Sequence, residues 1–114
     1  MGLKKVAEVN LERGWPTVEE ALRETVSRLM TCKGQGIKAV ILIHGYGSSG
    51  AGGRIGPAVR GRLRESSLSG IVRAVCTGED WINKKREMLA LCPGLSEEES
   101  RIAGNRGVTI VILK

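Results

Sequence analysis

Ile41-Leu42-Ile43-His44-Gly45-Tyr46-Gly47-Ser48-Ser49-Gly50-Ala51-Gly52-Gly53-Arg54 runs from a short apolar strand into five glycines among residues 45–53. The chain's one histidine stands at the joint, and an arginine-rich segment follows. Glycine gives up more backbone entropy on folding than any other residue, so such a density marks positive φ or close backbone approach. A strand that ends in this kind of loop and then feeds a helix can turn several amides outward together. That arrangement holds an anion, most often a phosphate.

Outward from this stretch, residues 38–44 read as a strand that is apolar without alternation, hence central and covered on both faces. Ile55, Val59 and Leu63 recur at helical spacing and place a helix over 54–65, with Pro57 tolerable only in its first turn. Upstream, residues 4–11 read as a first strand. Thr17-Val18-Glu19-Glu20 then forms a capping box for a helix whose apolar face is Val18, Leu22, Val26, Leu29 and Met30. Lys33-Gly34-Gln35-Gly36 stops it. Downstream come a third strand at 71–76, a short helix at 83–91, a second capping box at Ser96-Glu97-Glu98-Glu99 and a final strand at 108–113. The order β-α-β-α-β, an insertion, then β predicts a compact two-layer α/β sandwich on a four-stranded mixed sheet. It is expected to be one domain over 1–114, with the insertion at about 78–104.

The chain has 114 residues and a net charge of +6. Residues 1–31 and 76–114 are each balanced in charge. The excess lies in 32–75, where Lys33, Lys38, Arg54, Arg60, Arg62, Arg64 and Arg73 face the single acid Glu65. A charge run is often only a solvated face, but one basic block between balanced flanks points to an anionic partner. Three cysteines, an odd number without a C-x-x-C pair, read as reduced, buried thiols of a cytoplasmic protein. No apolar run is long enough to span a membrane, and the N-terminus lacks a signal-peptide core, so no membrane partner is expected.

Gly45-Tyr46-Gly47-Ser48-Ser49-Gly50 matches the dinucleotide pattern G-x-G-x-x-G. That reading fails on context: more small residues follow before the helix, and no Walker lysine is present. His44 could donate a proton or meet a phosphate at neutral pH; equally, its ring could pin the loop to the backbone. Glu12, Glu65, Glu79 and Asp80 show no ligand spacing with it, so no metal is expected. Trp81 is either a stacking platform or a lid over a core edge.

The segment IHGYGSSGAGGRIGPAVRGRLRE resembles the central signature of the Smr (small MutS-related) domain family, a strand ending in I-H-G-x-G before a basic helix. Residues 105–114, NRGVTIVILK, are similar to that family's closing strand, and Val9-Asn10-Leu11 with Pro16-Thr17-Val18-Glu19-Glu20-Ala21 to its opening. The resemblance implies an Smr-like fold, similar to the C-terminal domain of a bacterial translation initiation factor, and a nucleic-acid partner, DNA or RNA. The family's L-D-L-H-G motif reads here Val9-Asn10-Leu11-Glu12-Arg13-Gly14, so the Asp has become Asn10 and the His has become Glu12. Asn cannot act as a general base, which puts the family's cleavage activity in doubt while leaving its binding role.

The leading expectation is therefore nucleic-acid binding in DNA or RNA processing or repair. The phosphate contacts would come from His44, Gly45, Tyr46, Gly47, Ser48, Ser49, Gly50, Gly52, Gly53, Arg54, Arg60, Arg64 and Arg106. Helical spacing expects Arg54, Arg60 and Arg64 to line one edge and Arg62 to be dispensable. Two alternatives stand beside it. One is an endonuclease using His44 and Glu12, the only case calling for a cofactor, Mg²⁺. The other is a protein-interaction module with a basic face.

Overall fold

The computed structural model describes residues 5–14, 16–45 and 52–114. Tyr46, Gly47, Ser48, Ser49 and Gly50 lie outside the described residues. The elements are β1 (Val6–Asn10), α1 (Val18–Gly34), β2 (Ala39–Ile43), α2 (Gly52–Leu63), β3 (Val72–Thr77), α3 (Trp81–Leu91), α4 (Glu99–Ile102) and β4 (Val108–Leu113). Short 3-10 turns occupy Ser66–Leu68, Gly78–Asp80 and Pro93–Glu98. The expected α/β architecture with a four-stranded mixed sheet is present.

Strand order is β1-β2-β4-β3. β1 and β2 pair in parallel, while β4 runs antiparallel to both β2 and β3. β1, β2 and β3 therefore share one direction, and the last strand is slotted between two of them. Their carboxyl ends, at Asn10, Ile43 and Thr77, lie on one side of the sheet together with the start of β4.

The alternation of β2 and β4 feeds two separate cores. Val40, Leu42, Val111 and Leu113 pack with α1 and α2 on one face, with Leu29, Ile55, Val59 and Leu63. Ala39, Ile41, Ile110 and Ile112 pack on the other with Trp81, Met88, Leu95 and Ile102. So β2 is covered on both sides, as its unbroken apolar run demands, and the 78–104 segment supplies the second cover.

Thr17 caps α1 as its sequence promises: the Glu20 amide donates to Thr17 Oγ1 (3.1 Å) and the Thr17 amide to Glu20 Oε1 (2.8 Å). At the other end Gly36 takes φ +79, and the Ile37 amide returns to the Cys32 carbonyl (3.0 Å), a Schellman closure.

Three local expectations are corrected. Met30 is 57% exposed, because the buried line of α1 is Ala21, Thr25, Leu29 and Cys32. Thr25 can occupy its centre since its hydroxyl donates to the Ala21 carbonyl (2.8 Å). Pro57 falls in the second turn of α2, not the first. Gly56 before it has no Cβ to strike the proline ring, which removes much of the usual objection to a helical residue there. Ser96 caps nothing; it lies within the 3-10 turn, and α4 begins after Glu98 without a side-chain cap. The cap position of α4 falls on Glu98, two residues after Ser96.

Candidate nucleic-acid interface

The carboxyl end of the three parallel strands collects Glu12, His44, Gly45, Arg60 and Arg106 of the residues that the sequence singled out. After β1, Asn10 Oδ1 accepts the Glu12 amide (2.7 Å), an Asx turn that directs the chain through Gly14 at φ +75. Asn10 thus serves the backbone at the position of the family's acid. The Glu12 carboxylate lies against Gly45, where a Cβ would collide with it, and Gly45 itself takes φ +74. The positive φ is what calls for glycine here, since the Glu12 carboxylate ends a flexible, exposed side chain that could move aside.

Gly45 also meets the start of β4. The amides of His44 and Gly45 both donate to the Gly107 carbonyl (2.9 and 3.0 Å), and a Cβ on Gly107 would stand 3.2 Å from Gly45 Cα. Two glycines let two backbones close on each other, and the Gly107 amide is in turn held by Asn105 Oδ1 (2.8 Å).

His44 is buried, 1% exposed. Its ring lies on Gly56 of α2, where a Cβ would stand 2.8 Å from Nδ1. Nε2 is 2.9 Å from Thr109 Oγ1, and Nδ1 is 3.2 Å from the Gly45 carbonyl. The Arg60 Nε–H donates to the same Thr109 oxygen (2.9 Å). The Gly45 carbonyl can only accept, so in the neutral ring Nε2 is left to accept from the Thr109 hydroxyl, whose lone pair takes the Arg60 donor. The imidazole proton then sits on Nδ1 and is donated to the Gly45 carbonyl. His44 is a neutral pin, which favours the backbone-anchoring role over the phosphate-contacting one.

Arg60 is the hub of this end. Its Nη1 and Nη2 grip the Glu79 carboxylate at 3.0 and 2.9 Å, and Nη2 also reaches the carbonyls of Val108 (3.2 Å) and Arg106 (3.3 Å). The bond to Arg60 holds the Glu79 carboxyl below the usual carboxylate range. The edge expected from helical spacing is therefore revised: Arg60 turns inward to Glu79, and Arg64 lies beyond the far end of α2. Arg62 is taken up by Glu65 and by Ser67 Oγ (2.9 Å).

Arg54, in the first turn of α2, and Arg106, in the turn before β4, are exposed and have no ion-pair partner among the described residues. Gly52 and Gly53 open the same helix, whose first turn carries amides with no partner inside the helix and the positive end of its dipole. Among the described residues, no three His, Cys, Asp or Glu side chains gather in a metal-holding group.

Glu79, Thr109, Gly56 and Gly107 were missed as site residues. Glu79 had been weighed only as a metal ligand, and Thr109 was visible only as part of the closing strand. The cysteines are buried and free, with Cys76 pushed up to about 11 by burial, so none is a reactive thiolate. Trp81 is 1% exposed and lies in the core, not on a stacking surface. No helix of the described residues is long and apolar enough to cross a membrane.

Burial first, and the Arg60 cation as well, push the His44 pKa below its ordinary value; the Gly45 bond and Glu79 oppose them. A folded-state pKa below the unfolded one means that the unfolded chain binds the extra proton more readily. Stability from this pin is complete above about pH 6.5, the reference value for His, and is lost as pH falls toward the lower folded-state value. Imidazole titration by NMR, beside melting at several pH values, checks both the direction and the Nδ1-H tautomer.

The Smr domain family model matches residues 13–114. The crystal structure of the Smr domain of Thermus thermophilus MutS2 is similar at 27% identity over 95% of this chain and 98% of that one, with a TM-score of 0.60. No curated protein matches by sequence. With the strand that ends at His44-Gly45 meeting the start of the closing strand at Gly107, the chain belongs to the Smr domain family.

Proposed function

We propose that this Smr domain binds nucleic acid through backbone phosphates at the carboxyl end of its parallel strands. The contacts are Gly45, the loop Tyr46-Gly47-Ser48-Ser49-Gly50, the opening amides of α2 at Gly52 and Gly53, and the side chains of Arg54 and Arg106. His44 and Arg60 position these groups and do not touch the ligand. The observation that carries the reading is the division among the arginines. Arg60 and Arg62 are neutralised within the fold, while Arg54, in the first turn of α2, and Arg106, in the turn before β4, are exposed with no ion pair among the described residues. Arginine forks suit phosphate oxygens, and a sequence with only two Trp, one Tyr and no Phe favours backbone over base recognition. Family membership supports the same partner.

The test is a low-salt binding screen over duplex DNA, branched DNA and structured RNA, followed by salt titration. Arg54→Gln is expected to flatten the salt slope by roughly one unit, one phosphate contact, with unchanged melting. If no nucleic acid binds at low salt, the reading falls and an acidic protein partner takes its place.

The endonuclease alternative has one observation behind it, the Glu12 carboxylate beside Gly45, next to His44. Both His44 nitrogens are committed to Thr109 and Gly45, so binding without turnover is the expected result with or without Mg²⁺. Product from branched DNA or structured RNA that disappears in Glu12→Gln would reverse this.

A further inference from the structure

The glycine-loop end accounts for only part of the basic block. Of its seven cations, Arg60 and Arg62 are consumed inside the fold and Arg54 opens α2. The other four lie at the opposite end of the sheet. Lys33 is in the last turn of α1, Arg64 follows α2, Lys38 precedes β2, and Arg73 is the second residue of β3. Lys5 joins them: the Lys38 amide donates to the Lys5 carbonyl (2.8 Å), and the charges of both lysines act on the Cys92 thiol. The Leu113 amide donates to the Lys38 carbonyl (2.9 Å) and the Lys114 amide to that of Ile71 (2.9 Å), so the row continues across the sheet to the start of β3.

Lys5, Lys33, Lys38, Arg64 and Arg73 are all exposed, and none has an ion-pair partner among the described residues. The block's one acid, Glu65, is held by Arg62. A cation at a helix C-terminus is favourable by itself, which accounts for Lys33 and Arg64. It does not account for Lys5, Lys38 and Arg73, which belong to strand starts.

We infer that this end of the sheet is a second phosphate-contacting surface, and that one nucleic acid held at the glycine loop runs along the domain and is gripped again here. This rests on the proposed function. The spans agree. Along a helix, the ten residues from Arg54 to Arg64 rise about 15 Å, or about four to five base pairs at roughly 3.4 Å each. α1 and α2 pack against each other and both end at this edge, so Lys33 and Arg64 belong to the same end of the helical layer. Lysines and arginines suit phosphate oxygens, and among the described residues the one aromatic, Trp81, is buried in the core and offers them no stacking surface.

Fluorescence anisotropy with a duplex of roughly two helical turns, titrated with salt, tests the inference on three variants. The Lys38→Gln/Arg64→Gln double variant removes two exposed, unpaired charges from the second surface. It is expected to flatten the salt slope by about 1.8, as Arg54→Gln does by about half that. Arg86→Gln, an exposed position on α3 without an ion pair, is expected to leave the slope unchanged. A slope unchanged in the double variant but lowered by Arg54→Gln overturns the second surface and leaves the proposed function standing. Loss of polyglutamate binding in the double variant, with duplex binding intact, assigns the surface to an acidic protein and overturns it equally. No duplex binding by the unaltered domain at low salt removes the proposed function and this inference together.

Discussion

Arg60→Ala is expected to cost about 2–4 kcal/mol of stability, well beyond the loss of one surface charge. The side chain makes five hydrogen bonds: two to Glu79, one to Thr109 and two to the carbonyls of Arg106 and Val108. Truncation leaves the Glu79 carboxylate unpaired and Thr109, fully buried, without its donor. Glu79's side chain is 41% exposed, so water recovers part of the loss and the figure stays below that of a fully buried pair. Arg60→Lys decides between the roles. It keeps the charge but cannot offer Nε to Thr109 while forking onto Glu79. A structural hub predicts a depressed melting temperature and a disturbed His44 resonance in Arg60→Lys. Normal melting with nucleic-acid affinity held by lysine would restore Arg60 to the phosphate contacts.

Trp81→Ala is expected to destabilise by about 3–5 kcal/mol, a large share of a small domain's stability. Among the described residues the indole is the largest fully buried side chain, packed with Cys76, Met88, Leu95 and Ile102, and its Nε1–H donates to Glu99 Oε2 (2.8 Å). Glu99 also takes Lys85 (2.7 Å), so the ring is held from both ends of the 78–104 segment. Trp81→Phe keeps most of the apolar surface and loses the hydrogen bond, a smaller cost of about 1–2 kcal/mol. Denaturant midpoints separate the two variants, and nucleic-acid affinity measured on folded protein should be the same for both. A normal midpoint with weakened binding would mean that the ring stacks on bases after all.

What could be read beforehand followed from local chemistry. The unbroken apolar run of β2, the Thr17–Glu20 box and the left-handed Gly36 are each decided within a few residues, and each appears where expected. Gly45 was legible for the same reason: a strand end dense in glycine requires positive φ somewhere. The strand order was not legible, because nothing local says that β4 enters between β2 and β3. Arg60 misled for a related reason. Its spacing on α2 was right, but Glu79 lies 19 residues on, in a segment read as an insertion, and only the sheet brings the two together. Gly56 carried no signal either; its lack of a side chain matters only because His44 lies on it.

The placement of β4 also governs how the chain folds. The last of the four strands in chain order is an interior one, and it alone joins β2 to β3. Val111 and Leu113 complete one core, Ile110 and Ile112 the other, so neither face can close before it arrives. Such distant pairings make for slow assembly, since the entropy of loop closure is lost before the contacts form. A nascent chain lacking residues 108–113 holds open strand edges and two unfinished cores. The domain then gains both faces in a single cooperative step, with no half of it able to stand first.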